Sequence, residues 1–257
     1  MAQATREEIL KQLVWMSHEL GRPELDYVIL GEGNTSARIN EDTFYVKASG
    51  SQLSTLKPEQ LVEVSLARAL ALLDAHDISD AAVKAGLIAA KTDPSCPYHP
   101  SVETVLHALA LTEGGARWVG HTHPTAVNAI LCSKRAREAY AGRLFPDEIV
   151  VCGPAPVFVP YTDPGVPLAR RIREELRGYL DRWGQPPKVI LMENHGVIAL
   201  GQSPQEVLDV TAMAVKTARI LAGTFALGGP QFLTEDQVAR IHTRPDEALR
   251  RRALGLR

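Results

Sequence analysis

Two histidines two positions apart, His121 and His123, close the short apolar run Trp118-Val119. On a strand, alternate side chains share a face, so the two imidazoles stand about 6–7 Å apart along the chain and can chelate one metal ion. A third histidine, His195 in Glu193-Asn194-His195-Gly196, ends another apolar run, Lys188-Val189-Ile190-Leu191-Met192. Upstream, Pro100-Ser101-Val102-Glu103 supplies a carboxylate. Three histidines with one unligated carboxylate describe a catalytic metal site with an open position. There a glutamate can remove an α-proton from a metal-bound carbonyl compound.

These residues also have plainer explanations. Ser101 after Pro100 makes a good N-cap for a helix with Val102, Val105, Leu106 and Leu109 on its apolar side. Glu103 would then sit in the first turn, where a carboxylate interacts favourably with the helix dipole, and His107 would pair with it on the surface. The metal reading is lifted by position: both histidine motifs follow β-branched apolar runs, placing them at strand carboxyl ends, where ligand crevices form. The histidines at 18, 76, 99, 107 and 242 stand isolated and read as helix-face or loop residues.

Two small-residue turns suggest an anion pocket. Tyr27–Leu30 runs into Gly31-Glu32-Gly33-Asn34-Thr35-Ser36, a turn rich in residues that tolerate positive φ and expose N–H groups. Thr43–Lys47 is strand-like and leads into Ala48-Ser49-Gly50-Ser51. Such turns can cradle an oxyanion, although a hairpin turn explains either one alone, and neither is a dinucleotide or P-loop glycine pattern. Lys47 reads as a cation for this pocket or as a solvated strand residue.

The remaining elements read as scaffold. Thr5 and Glu8 form a capping box before an apolar stripe of Ile9, Leu13, Met16 and Leu20, stopped by Gly21. A strand is expected at Leu61–Val64, helices over Ala67–Leu73 and Ala81–Ala90, and a proline-rich loop over Lys91–Pro100. Asp163–Trp183 is a charged helix, and Ser203-Pro204-Gln205-Glu206 caps a mostly buried one. Thr234–Gln237 can cap a short helix, with Arg250-Arg251-Arg252 a basic tail.

With 257 residues, 45% hydrophobic and 23% charged, the chain is ordinary globular material. A formal charge of −2 gives no general attraction to nucleic acid or anionic membrane. Cys96, Cys132 and Cys152 form no C-x-x-C pair, which argues for a reducing compartment. There is no membrane-length apolar run, and Met1–Leu10 has no signal-peptide apolar core. A cytoplasmic protein of one domain is expected, with its motif-bearing core over 9–223 and a C-terminal extension over 230–257.

The order Gly33-Asn34-Thr35-Ser36, Ala48-Ser49-Gly50, Pro100-Ser101-Val102-Glu103, His121-Thr122-His123-Pro124 and Asn194-His195-Gly196 resembles the class II aldolase/adducin family. The resemblance implies a three-layer α/β/α sandwich with a mixed, largely antiparallel sheet, assembled as a homotetramer with sites between subunits. It matches His121, His123 and His195 to the ligands of Zn2+ (Mn2+ or Co2+ as alternatives) and Glu103 to the acid/base. Gly33, Asn34, Ser49, Gly50 and Ser101 match the sugar-phosphate pocket. Tyr161, in Pro160-Tyr161 followed by Gly165, matches a proton donor that reaches the neighbouring subunit's site.

The activity so implied is reversible retro-aldol cleavage of a ketose phosphate to dihydroxyacetone phosphate and an aldehyde through a metal-stabilised enediolate. Two departures bear on substrate: Ser101-Val102 stands where paired serines are common, and Lys47-Ala48 where Thr-Pro is. They suit a sugar-acid phosphate decarboxylase, while a pentulose-phosphate 4-epimerase stays open because it breaks the same bond, although its relatives tend to carry Asp where this chain has Glu103. A non-catalytic adducin-like interaction module would have no need of the complete histidine triad.

Overall fold

A computed structural model describes residues 4–253 and 255. Residues 1–3 of the amino-terminal stretch, and Leu254, Leu256, Arg257 and the Ala248 and Arg252 side chains of the C-terminal extension, lie outside the described residues.

The chain begins with α1 (Arg6–Leu20), closed by the expected Thr5–Glu8 capping box. Three strands follow, β1 (Asn34–Arg38), β2 (Thr43–Lys47) and β3 (Leu61–Ser65), then helices α2 (Leu66–Ala71), α3 (Asp80–Ala90) and α4 (Thr104–Leu111). Strand β4 (Trp118–Thr122) leads to α5 (Thr125–Leu131), α6 (Ala136–Ala139) and α7 (Pro146–Cys152). Next come β5 (Val157–Val159), α8 (Val166–Trp183), β6 (Val189–Met192) and β7 (Gly196–Gly201). The chain ends with α9 (Pro204–Ala226), α10 (Glu235–Thr243) and α11 (Pro245–Ala253).

The strands form one seven-stranded sheet in the order β3-β2-β1-β4-β7-β6-β5. Each neighbouring pair is antiparallel except β5 with β6. Period-two alternation sends successive residues to opposite faces, and both faces are buried. On β7, Ile198 and Leu200 join a core with Phe44, Val105, Leu109 and Ile172, whereas Val197 and Ala199 join one with Leu13, Leu20, Val207 and Val210. Helices α2, α4 and α8 cover the first face; α1, α5 and α9 cover the second. This is the three-layer sandwich with a mixed, largely antiparallel sheet. The three cysteines are free.

Local expectations shift at two places. The Tyr27–Leu30 run forms no strand, because Asp26 and Leu30 take positive φ (56° and 52°) and kink the chain. Asn34, Thr35 and Ser36 instead belong to strand β1 rather than to the turn. The helix expected from Ser101 begins at Thr104. Ser101 Oγ does accept the Glu103 N–H (3.3 Å), but the 101–104 segment winds as a tighter turn through Thr104 N–H to Ser101 O. That turn swings Val102 outward, 56% exposed, not onto the apolar side assigned to it.

Candidate active site

Strand β4 lies between β1 and β7, with His121 paired to Asn34 on one side and Ile198 on the other. His123 follows just past the strand end, its N–H held by the Tyr27 carbonyl at 2.9 Å. His195 occupies the tight β6–β7 connection, where Asn194 adopts positive φ (55°) and the Asn128 amide donates to the His195 carbonyl at 2.9 Å. Close approach here depends on glycine. A Cβ on Gly196 would lie 2.6 Å from the Thr122 carbonyl and 2.7 Å from the His123 ring, and one on Gly33 would lie 2.5 Å from the His121 carbonyl.

The three imidazoles thereby converge, with ring centroids 4.7–5.1 Å apart and planes at 63–84° to one another. One nitrogen from each lies within 4.8 Å of the others. His121 is fully buried, and its Nδ1–H donates to the Val197 carbonyl at 3.1 Å. That bond leaves the Nε2 lone pair facing inward, 3.0 Å from His123 Nε2. Glu103 closes the ring: Oε1 lies 3.1 Å from His195 Nε2 and Oε2 3.4 Å from His121 Nε2.

The electrostatics ask for a positive charge at the centre. Burial works against the charged form of Glu103, yet His121 and His195 hold its carboxyl well below the usual carboxylate range. Burial likewise disfavours a charged His121, but the Glu103 carboxylate outweighs it and raises this imidazole above its ordinary value. Burial, then its two histidine neighbours, pushes His123 down to about 3. Facing nitrogen lone pairs beside an ionised carboxylate suit a divalent cation, as the chemistry of a three-histidine donor set requires.

The anion turns are joined to this centre. The Asn34 side-chain amide donates to Glu103 Oε2 at 2.7 Å and to Ser101 Oγ at 3.1 Å. Lys47 is not solvated: it is 3% exposed and donates from Nζ to the carbonyls of Gly31 (3.3 Å) and Ser51 (2.5 Å). It thus braces both turns, and burial pulls its ammonium down to about 8. Gly50 takes positive φ (80°), and the Ser49 N–H is held by the His99 carbonyl. Beside the site opens a cleft of about 720 Å³, lined among others by Ser49, Tyr98, Val102 and Asp163.

Within one chain the fold therefore gathers His121, His123, His195, Glu103, Asn34, Ser101 and Gly33, with Ser49 and Gly50 on the braced turn. Tyr161 is not among them. Its side chain is 56% exposed, and its hydroxyl donates to Asp163 at 3.1 Å.

His107 corrects the sequence reading. It is fully buried, not a helix-surface residue, and bonds to both Ser36 and Asn34. Its signal was available: a lone histidine inside the otherwise apolar Val105–Leu111 run must be buried and must find partners.

The family model described as "Class II Aldolase and Adducin N-terminal domain" matches residues 11–222. The chain belongs to this family. It is 26% identical over 247 residues to a 3-oxo-tetronate 4-phosphate decarboxylase of Haemophilus influenzae, covering 95% of this chain and 99% of that one. The fold matches the N-terminal class II aldolase domain of a conserved protein from Thermoplasma acidophilum, with TM-score 0.66 and 26% identity, covering 86% and 97% of the two chains. It also matches an L-fuculose 1-phosphate aldolase, with TM-score 0.68 and 16% identity, covering 93% and 96%. Members of this family are metal-dependent aldolases, epimerases or decarboxylases. Among the described residues, no helix is long and apolar enough to cross a membrane.

Proposed function

We propose that this chain is a metal-dependent carbon–carbon lyase that releases CO2 from a 3-oxo-tetronate 4-phosphate or a close keto-acid phosphate, giving dihydroxyacetone phosphate. The carrying observation is the Glu103 carboxylate, held by Asn34 and aimed at two histidine nitrogens, where a proton must be handled beside a carbonyl. The full-length similarity to a decarboxylase supports CO2 as the leaving fragment.

His121, His123 and His195 would hold the cation, for which zinc suits an all-imidazole site. When bound, it supplies Lewis acidity to the ketone oxygen. In the reaction, the bond between the carboxyl carbon and C2 breaks, and its electron pair stays at C2, conjugated with the C3 ketone. Glu103, ionised at rest, takes up a proton from solvent and delivers it to C2. The turns at Gly33-Asn34 and Ser49-Gly50, braced by the Lys47 ammonium, hold the phosphate, with Ser101 alongside. The protein acts as one domain, in a reducing compartment such as the cytoplasm.

Retro-aldol cleavage of a ketose phosphate leaves the same three-carbon fragment and differs only in releasing an aldehyde. Tyr161 favours this second reading, because the oxygen that becomes the aldehyde must lose a proton on cleavage and regain it on condensation, whereas CO2 leaves without one. The side chain is 56% exposed, so in a homotetramer it would be available to a neighbouring copy.

The test is exchange of an α-proton of dihydroxyacetone phosphate in heavy water, with and without chelator, together with CO2 release from 3-oxo-tetronate 4-phosphate. Metal-dependent exchange with CO2 release is expected. Neither event in metal-loaded protein would sink both readings, whereas exchange without CO2 release would select the aldolase.

A further inference from the structure

Strand β1 is polar at its start, Asn34-Thr35-Ser36, yet all three residues are buried. Alternation sends Thr35 to one face, where its hydroxyl meets Ser17 Oγ at 2.7 Å. Asn34 and Ser36 face the other way, toward α4, every residue of which is buried. There His107 meets them both: Nδ1 lies 2.7 Å from Ser36 Oγ, and Nε2 contacts Asn34 Oδ1.

The donor and acceptor roles in this chain are forced. The ionised Glu103 carboxylate can only accept, so the amide nitrogen of Asn34 must face it, as observed at 2.7 Å. Asn34 Oδ1 then faces His107 and can only accept, so His107 must carry its proton on Nε2. The bare Nδ1 in turn accepts from the Ser36 hydroxyl. Burial pushes His107 down to about 3, so the ring is neutral at pH 7 and one tautomer satisfies both contacts. An amide cannot pass a proton along this chain without tautomerising, so the chain orients and does not relay.

We infer that His107 is a positioning residue: Ser36 fixes its tautomer, its Nε2–H pins the Asn34 amide, and the pinned amide aims Glu103 at the histidine cluster. Without that N–H, the Asn34 amide can rotate and turn its carbonyl oxygen toward the carboxylate it should hold. The inference rests on the proposed role of Glu103 as proton carrier. Residues that orient a working group from behind typically matter about 10- to 100-fold.

The experiment compares His107→Leu with His107→Gln, whose amide nitrogen falls where the imidazole Nε2 stood. In His107→Leu, kcat for proton exchange into dihydroxyacetone phosphate should fall about 10- to 100-fold, with KM within about twofold and metal content unchanged. His107→Gln should recover most of kcat. Wild-type kcat in the leucine variant, or equal losses in both folded variants, would overturn the inference.

Nitrogen-15 NMR of histidine-labelled wild-type protein gives an activity-independent reading that also covers a leucine variant that fails to fold. A neutral Nε2–H tautomer for His107 at pH 7 is expected; an Nδ1–H or doubly protonated ring overturns the positioning chain. If wild-type protein shows no exchange at all, the functional reading fails, and this tautomer alone decides whether His107 pins Asn34.

Discussion

Replacing Glu103 with Gln isolates the proton-transfer role from the architecture around it. The amide has nearly the shape of the carboxylate, and its oxygen can still accept from Asn34 Nδ2, now at 2.7 Å from Glu103 Oε2. The three imidazoles are untouched, so bound metal, read by atomic emission after gel filtration, should stay at its wild-type level. What the amide cannot do is carry a proton at the position 3.1 Å from His195 Nε2 and 3.4 Å from His121 Nε2. A positioned acid or base contributes about 10²–10⁴-fold, or roughly 2.7–5.4 kcal/mol of barrier. Exchange of the dihydroxyacetone phosphate α-proton into heavy water should slow by that factor at saturating substrate. The substitution also removes the carboxylate that raises the His121 imidazole, so in metal-free protein that ring should fall toward the neutral form its burial favours. Exchange within about tenfold of wild type, with metal retained, would refute the assignment of Glu103.

Further outcomes follow from the same geometry. Lys47→Met should weaken phosphate and substrate binding, read as a raised KM, because both turns lose their common brace. Its stability effect has a defined sign. Lys47 drops from 10.5 to about 8 on folding, so its buried charge costs about 3 kcal/mol below pH 8, and wild-type stability should gain on the methionine variant between pH 8 and 10.5 in denaturant titrations. A fixed difference across that range would show that the ammonium does not titrate there. Gly196→Ala forces a Cβ to within 2.6 Å of the Thr122 carbonyl, so it should cost about 1–3 kcal/mol in thermal unfolding and lower metal content. Tyr161→Phe should leave CO2 release intact while lowering any aldehyde condensation by about 10²-fold or more; equal loss of both would place the hydroxyl in the decarboxylation itself.

Most of the layout can be read along the chain. Periodicity and caps locate α1, β2, β3, α2, α3, α8 and α9, because each is specified by neighbours within a few residues. The histidine pair is legible in part for the same reason: the strand places His121, whereas His123 lies just past its end and is held there by the Tyr27 carbonyl. The ends of elements are less legible near the site. The Tyr27–Leu30 run is apolar enough for a strand, but left-handed residues at Asp26 and Leu30 bound it, and Tyr27 instead gives its carbonyl to the His123 N–H across the fold.

The sequence by itself determined the residue types of the centre, the family and the layered fold, since these rest on local pattern and ordered motifs. Only the tertiary structure decided what each polar residue is for. In one dimension Lys47 reads either as a pocket cation or as a solvated strand residue, and His107 as a helix-face imidazole. In three dimensions both are buried, and a buried polar group must find partners: the carbonyls of two turns for the lysine, Asn34 and Ser36 for the histidine. Ser51, 4 residues from Lys47, is reached through the local turn, but Gly31 lies 16 residues away and the His107 partners 73 and 71, and the pairing of strands and the packing of α4 on the sheet bring these together.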